Sequence, residues 1–75
     1  MGPSLSRREI EVLRHVALGE TSKEIAGALG IGERTVNWHL ERVFVKLGAE
    51  SRAEAVALAL ELGIVRRPHD SRTSP

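Results

Sequence analysis

The sequence predicts an all-α domain of four helices with a helix-turn-helix at its centre. Three observations carry that expectation. Apolar residues recur at helical rather than alternating spacing. The pattern Ser/Thr-x-x-Glu stands ahead of three of the apolar runs. A glycine follows each run, and Gly30-Ile31-Gly32 makes a short break between the second and third.

The first helix is expected over residues 7–18. Ser6-Arg7-Arg8-Glu9 starts it as a capping box, in which the serine hydroxyl accepts from the Glu9 backbone N–H while Glu9 reaches back. Val12, Leu13, Val16 and Ala17 form its core stripe, and Gly19 stops it. The second helix, residues 22–29, starts from a second box, Thr21-Ser22-Lys23-Glu24, and places Ile25, Ala26 and Leu29 on one side. The third, residues 33–47, has the strongest period: Val36, Leu40, Val43, Phe44 and Leu47. Gly48 stops it. The fourth, residues 52–62, follows a third expected box, Ser51-Arg52-Ala53-Glu54, and ends at Gly63. The domain is placed at residues 5–65. Residues 1–4 and the polar, proline-containing stretch 66–75 are expected to be disordered.

Composition narrows the function classes. A chain of 75 residues suits one small domain, which buries roughly 60% of its unfolded surface and has little stability to spare. Without cysteine there are no disulfides or thiolate metal sites. His15, His39 and His69 share no helical spacing, so no metal is expected. No catalytic group is expected either: His69-Asp70 lies among serines in the tail, where nothing rigid holds a triad. Gly30-x-Gly32 is explained by the helix turn rather than by a phosphate loop. No apolar run reaches the roughly 18 residues of a membrane span, and no secretory signal is visible, so the expected setting is cytoplasmic. The formal charge of 11 − 10 = +1 requires any anion-binding surface to be a local arrangement.

The second helix, the break and the third helix have the parts of a helix-turn-helix in order. Ala26 is small where two helices approach, Gly30 accepts positive φ, and Ile31 plugs the gap beneath the turn. Such a motif docks on DNA.

These residues bring a family into view. Leu5-Ser6-x-Arg8-Glu9-x-Glu11-Val12-Leu13, Lys23-Glu24-Ile25-Ala26, Thr35-Val36-x-x-His39, Lys46-Leu47-Gly48 and Ser51-Arg52-x-x-Ala55 resemble the LuxR/FixJ-type (GerE-like) DNA-binding domain of bacterial transcription regulators. The resemblance spans Leu5 to Val65. It implies the third helix in the major groove and the fourth available for dimer contacts. It also implies promoter or operator DNA as partner, RNA polymerase as a further contact, and no cofactor or small-molecule ligand in this domain. Gly32 stands where the family usually has a serine cap. Asn37 stands where many members carry lysine, and Glu41 at a position that is often basic.

A helical wheel gives the candidate residues. At 100° per residue Trp38, the only tryptophan, falls opposite the core stripe of the third helix. Arg34, Glu41, Arg42 and Val45 share its side and Asn37 flanks it. Direct readout follows chemically: an apolar contact from Trp38 to a thymine methyl, Asn37 to adenine, Glu41 to the cytosine amino group, and Arg34 or Arg42 to base or phosphate. Arg34 and Arg42 have an alternative in pairing with Glu33 and Glu41. Lys23, Thr35, His39 and Lys46 are the expected phosphate contacts, on the side that the resemblance assigns to the DNA backbone. The alternatives are solvated lysines and a histidine wedged at the core edge.

The fourth helix is apolar on most sides. Ala55, Leu58 and Leu62 are expected to share a face with a second copy, as the resemblance also implies. Two other readings compete: a helical protein-interaction module using the Trp38 face, and a promoter-binding domain of the sigma-factor region 4 type.

Overall fold

The computed structural model describes residues 4–66. Among them are four helices and no strand: α1 (Arg7–Ala17), α2 (Ser22–Leu29), α3 (Glu33–Leu47) and α4 (Arg52–Glu61). The bounds of α2 and α3 are those expected. α1 and α4 each stop one residue early, because Leu18 and Leu62 serve as the C-caps. The expected disordered ends lie outside the described residues, apart from Ser4 and Arg66.

Two of the three capping boxes form as read. Ser6 Oγ accepts from Glu9 N at 3.1 Å while Ser6 N donates to Glu9 Oε1 at 2.8 Å. Thr21 and Glu24 repeat the exchange at 3.2 and 2.8 Å. The third is incomplete. Ser51 Oγ accepts from Glu54 N, but Glu54 Oε1 takes the N–H of Glu50 at 2.6 Å rather than that of Ser51. Either way the carboxylate sits in the first turn of α4, where the helix dipole favours it.

One device ends every helix. Gly30 takes the left-handed conformation at φ 69, ψ 33, and the N–H of Ile31 closes back on the Ala26 carbonyl at 3.1 Å. That closure satisfies an otherwise orphaned carbonyl and turns Ile31 inward, where it packs half-buried beneath the turn. Glu20, Ala49 and Ile64 make the equivalent bond after α1, α3 and α4.

The interior has two lobes. One joins α1, α2 and α3 through Val12, Val16, Ile25, Ala26, Val36 and Leu40. The other joins α1, α3 and α4 through Leu13, Val43, Ala55, Ala59 and Val65. α3 contributes to both, so it is the pillar of the bundle. Half-buried Phe44 packs against both lobes.

The fourth helix corrects an expectation. Ala55, expected on a face shared with a second copy, is fully buried, as is Ala59. The side of α4 that carries Ala55 and Ala59 is its inner side, because small side chains there let it settle close to α1 and α3. The leucines are displaced outward: Leu58 is half-buried and Leu62 is 51% exposed.

Candidate nucleic-acid interface

The outward side of α3 is built as the wheel implied. Val36, Leu40 and Val43 anchor the helix, while Trp38 is 53% exposed and Val45 81% exposed. Arg34, Thr35, Asn37, Glu41 and Arg42 are also exposed. Trp38 therefore does not belong to the core. Its ring is nevertheless held: the Arg42 guanidinium lies 5.0 Å from its centroid, and the His39 ring meets it edge-on at 5.0 Å and 66°. An amphipathic ring fixed at half exposure offers apolar area to a partner without first losing much conformational freedom.

Arg42 departs from the alternative of pairing with Glu41, and Lys46 from that of a solvated lysine. Arg42 Nε donates to Glu9 Oε2 at 3.1 Å, and Lys46 Nζ donates to Glu9 Oε1 at 2.8 Å. Glu9 is only 2% exposed. Burial, the largest single influence on this carboxyl, works against its ionisation. The hydrogen bonds from Lys46, the Ser6 backbone and Arg42, with the Lys46 charge, outweigh that and lower its pKa from 4.5 to about 2. Glu9 thus serves as cap, buried counter-ion and clamp for two cations of α3. The cluster carries one net positive charge. The two terminal nitrogens of Arg42 have no hydrogen bond among the described residues, and its side chain is 47% exposed.

Glu9 is the residue that sequence reasoning missed. Its cap role was visible, but the signal for burial lay in the spacing: residues 9, 12, 13 and 16 form one i, i+3, i+4, i+7 stripe. A carboxylate on the core stripe needs a cation from another helix.

Asn37 is also engaged. Its Oδ1 accepts from Ser22 Oγ at 2.7 Å, and Ser22 Oγ accepts from Arg52 Nη2 at 2.6 Å. Arg52 Nη1 donates to the Glu20 carbonyl at 3.1 Å, which ties the start of α4 to the loop before α2.

The remaining candidates are simpler. Arg34 and Glu41 form no ion pair among the described residues. Lys23 is exposed in the first turn of α2, where Thr21 and Glu24 already occupy two backbone donors. Thr35 is exposed one turn before His39. His39 is half-buried, and its Nδ1 is buried without a partner. The tautomer with the proton on Nε2 leaves only a lone pair inside and turns an N–H donor outward. Among the described residues no group of acidic, cysteine or histidine side chains is placed to hold a metal ion, and no helix is long and apolar enough to cross a membrane.

The sequence motifs and this geometry meet in one comparison: residues 3–59 match the family described as bacterial regulatory proteins, luxR family. The chain belongs to that family. As a LuxR-family member it is a helix-turn-helix DNA-binding domain of a transcription regulator, and the family is not one of enzymes. Over 61 residues it is 48% identical to the transcriptional regulatory protein YdfI of Bacillus subtilis, covering 81% of this chain and 29% of YdfI. The transcription factor GerE superposes with a TM-score of 0.77 at 33% identity, over 81% of this chain and 91% of that one. The VqmA dimer of Vibrio cholerae contains a similar unit, with a TM-score of 0.79 at 34% identity, over 83% of this chain and 29% of VqmA. The chain thus spans less than a third of YdfI and of VqmA, and nearly all of GerE.

Proposed function

We propose that this LuxR-family domain binds double-stranded DNA sequence-specifically, with α3 in the major groove, as the effector domain of a bacterial transcription regulator. It acts without a cofactor or catalysis, in the cytoplasm. Arg34, Asn37, Trp38, Glu41 and Arg42 face the bases; Lys23, Thr35, His39 and Lys46 hold the backbone. The observation that carries the reading is Trp38, 53% exposed on the side of α3 away from the core and braced by Arg42. An indole fixed in that position suits apolar contact with thymine methyls.

Two copies are proposed to bind paired half-sites about one helical turn apart, through the outer face of α4. Half-buried Leu58 and exposed Leu62 supply that face. VqmA, a similar structure, is described as a dimer with a target DNA.

The test uses the single tryptophan. Duplexes selected from a random pool are titrated into the chain while Trp38 emission is followed. Emission should change saturably with the selected duplex, and affinity should fall steeply with added salt as phosphate contacts release counterions. Constant emission at saturation removes Trp38 from the interface. No duplex affinity even in dilute buffer defeats the whole proposal.

A further inference from the structure

We propose that Ser22 and Arg52 are positioning residues that fix the amide of Asn37 so that it meets the groove as a hydrogen-bond donor. The inference rests on the reading above, that Asn37 faces bases, and gives it a direction.

The argument starts from the guanidinium. Arg52 has five N–H donors and no acceptor, so wherever it meets Ser22 the hydroxyl oxygen must accept. Its Nη2 lies 2.6 Å from Ser22 Oγ, while Nη1 is anchored 3.1 Å from the Glu20 carbonyl, which aims the guanidinium. With Ser22 Oγ accepting there, its single proton has one remaining partner, the Asn37 side chain 2.7 Å away. A hydroxyl that donates selects the carbonyl end of an amide. Asn37 Oδ1 is therefore turned toward α2, and Nδ2 becomes the end presented to the groove. Arg52 and Ser22 are half-buried, so the bond between them is partly shielded, while the Ser22–Asn37 bond that it orients lies at the exposed surface.

The chemistry of the readout changes accordingly. A free asparagine offers acceptor and donor together, which suits the N6 and N7 of adenine. An asparagine whose oxygen is turned toward α2 presents its N–H end to the groove. Its matching partners are the acceptors of the major groove: guanine O6 and N7, adenine N7 and thymine O4. Cytosine, which shows only an amino donor there, is rejected. The relay thereby removes the usual advantage of adenine over guanine for an asparagine.

Binding of Asn37→Ala, Ser22→Ala and Ser22→Thr is compared with that of the unaltered chain, on duplexes varied one base pair at a time around the selected site. Asn37→Ala first locates the base pair that Asn37 reads. At that pair the unaltered chain should reject cytosine and show no preference for adenine over guanine. Ser22→Ala should gain a preference for adenine of about fivefold or more, the lower end of what a bidentate amide contributes. Ser22→Thr, which keeps the hydroxyl, should behave as the unaltered chain, and Arg52→Leu should move the preference in the same direction as Ser22→Ala.

If Ser22→Ala weakens all duplexes equally, or leaves the preference where it was, Ser22 is merely structural and the relay is refuted. A strong adenine preference in the unaltered chain refutes the donor orientation. If Asn37→Ala alters no base preference while the chain still binds its selected site, the placement of Asn37 in the groove fails as well. Ser22→Ala in the Asn37→Ala background should add no further change in preference; an added change would show Ser22 acting through another residue.

Discussion

Replacing Glu9 by glutamine should separate the electrostatic role of this side chain from its shape. Glutamine keeps one carbonyl oxygen, so the cap on Ser6 N–H, 2.8 Å from Glu9 Oε1, survives. What it lacks is a second acceptor and the charge. With the Oε1 position kept as the carbonyl for Ser6 and Lys46, its amino group faces Arg42 Nε, donor against donor. A hydrogen bond to a charged group contributes about 1.5–3 kcal/mol, and at least one is lost. The titration of the carboxyl gives a second estimate. A pKa lowered from 4.5 to about 2 corresponds to about 3 kcal/mol of stability, and the Glu9 side chain is only 3% exposed, so solvent screens it little. Arg42, with a side chain 47% exposed, recovers part of the loss by turning into water. A net cost of about 2 kcal/mol follows, or roughly 8–16 °C of melting temperature for a domain this small.

The pH dependence is the sharper test. Because the folded pKa is depressed, the contribution of Glu9 is fully present above about pH 4.5 and fades as the pH falls toward about 2. Glutamine does not titrate. The gap between the two proteins, measured by urea melts followed by far-UV circular dichroism, should be widest near neutrality and shrink steadily below about pH 4.5. A gap as large at about pH 3 as at neutrality would mean that the loss comes from packing or the cap, and the counter-ion argument would be wrong.

Three further outcomes follow from the same structure. Gly27→Ala should raise stability by about 0.5–1 kcal/mol, since an added Cβ meets nothing within 4 Å and α2 gains propensity; Gly30→Ala, equally uncrowded but at φ +69, should cost about 1–2 kcal/mol, and paired melts check both. Thr35→Ala should weaken binding to all duplexes alike, whereas Asn37→Ala should mainly relax preference at one base pair, measured as specific-to-random affinity ratios. Leu58→Glu should impair binding to paired half-sites more than to a single half-site; equal impairment in gel-shift titrations would assign Leu58 to folding rather than to a partner.

The fold was legible because its signals are local. Capping boxes, left-handed glycines and helical periodicity each act within a few residues, and they located α2 and α3 to the residue. The side of α3 that carries Trp38 was legible for the same reason, since one rotation per residue fixes which residues oppose Val36, Leu40 and Val43. Partners across helices were less legible. The pairing of Arg42 and Lys46 with Glu9 spans 33 and 37 positions, and the relay from Arg52 to Ser22 spans 30. Nothing in the local pattern names those partners; only the unpaired carboxylate on the core stripe of α1 hints that one is needed. The inner face of α4 was misread for a related reason. A helix apolar on most sides does not show which side is inner, and here Ala55 and Ala59 are, because a side chain of one carbon lets the backbones close in.

The weak formal charge of +1 is reconciled with a DNA-binding surface by where the acids lie. Glu24 and Glu54 cap backbone N–H groups, Glu11 pairs with Arg8, Glu20 pairs with His15, and Glu9 is buried. These carboxylates work inside the fold or away from α3. At the proposed interface the balance differs: Glu33 and Glu41 stand with Lys23, Arg34, Arg42 and Lys46, and Glu9, which holds Arg42 and Lys46 from α1, neutralises only one of the two. Net charge averages over both populations, whereas a phosphate at the surface senses mainly the charges within a Debye length of it, about 8–10 Å. The local surplus is set by the placement of five carboxylates, and a near-neutral total is compatible with the proposed duplex contact because most of the acids are engaged in closing helices or in pairs within the fold.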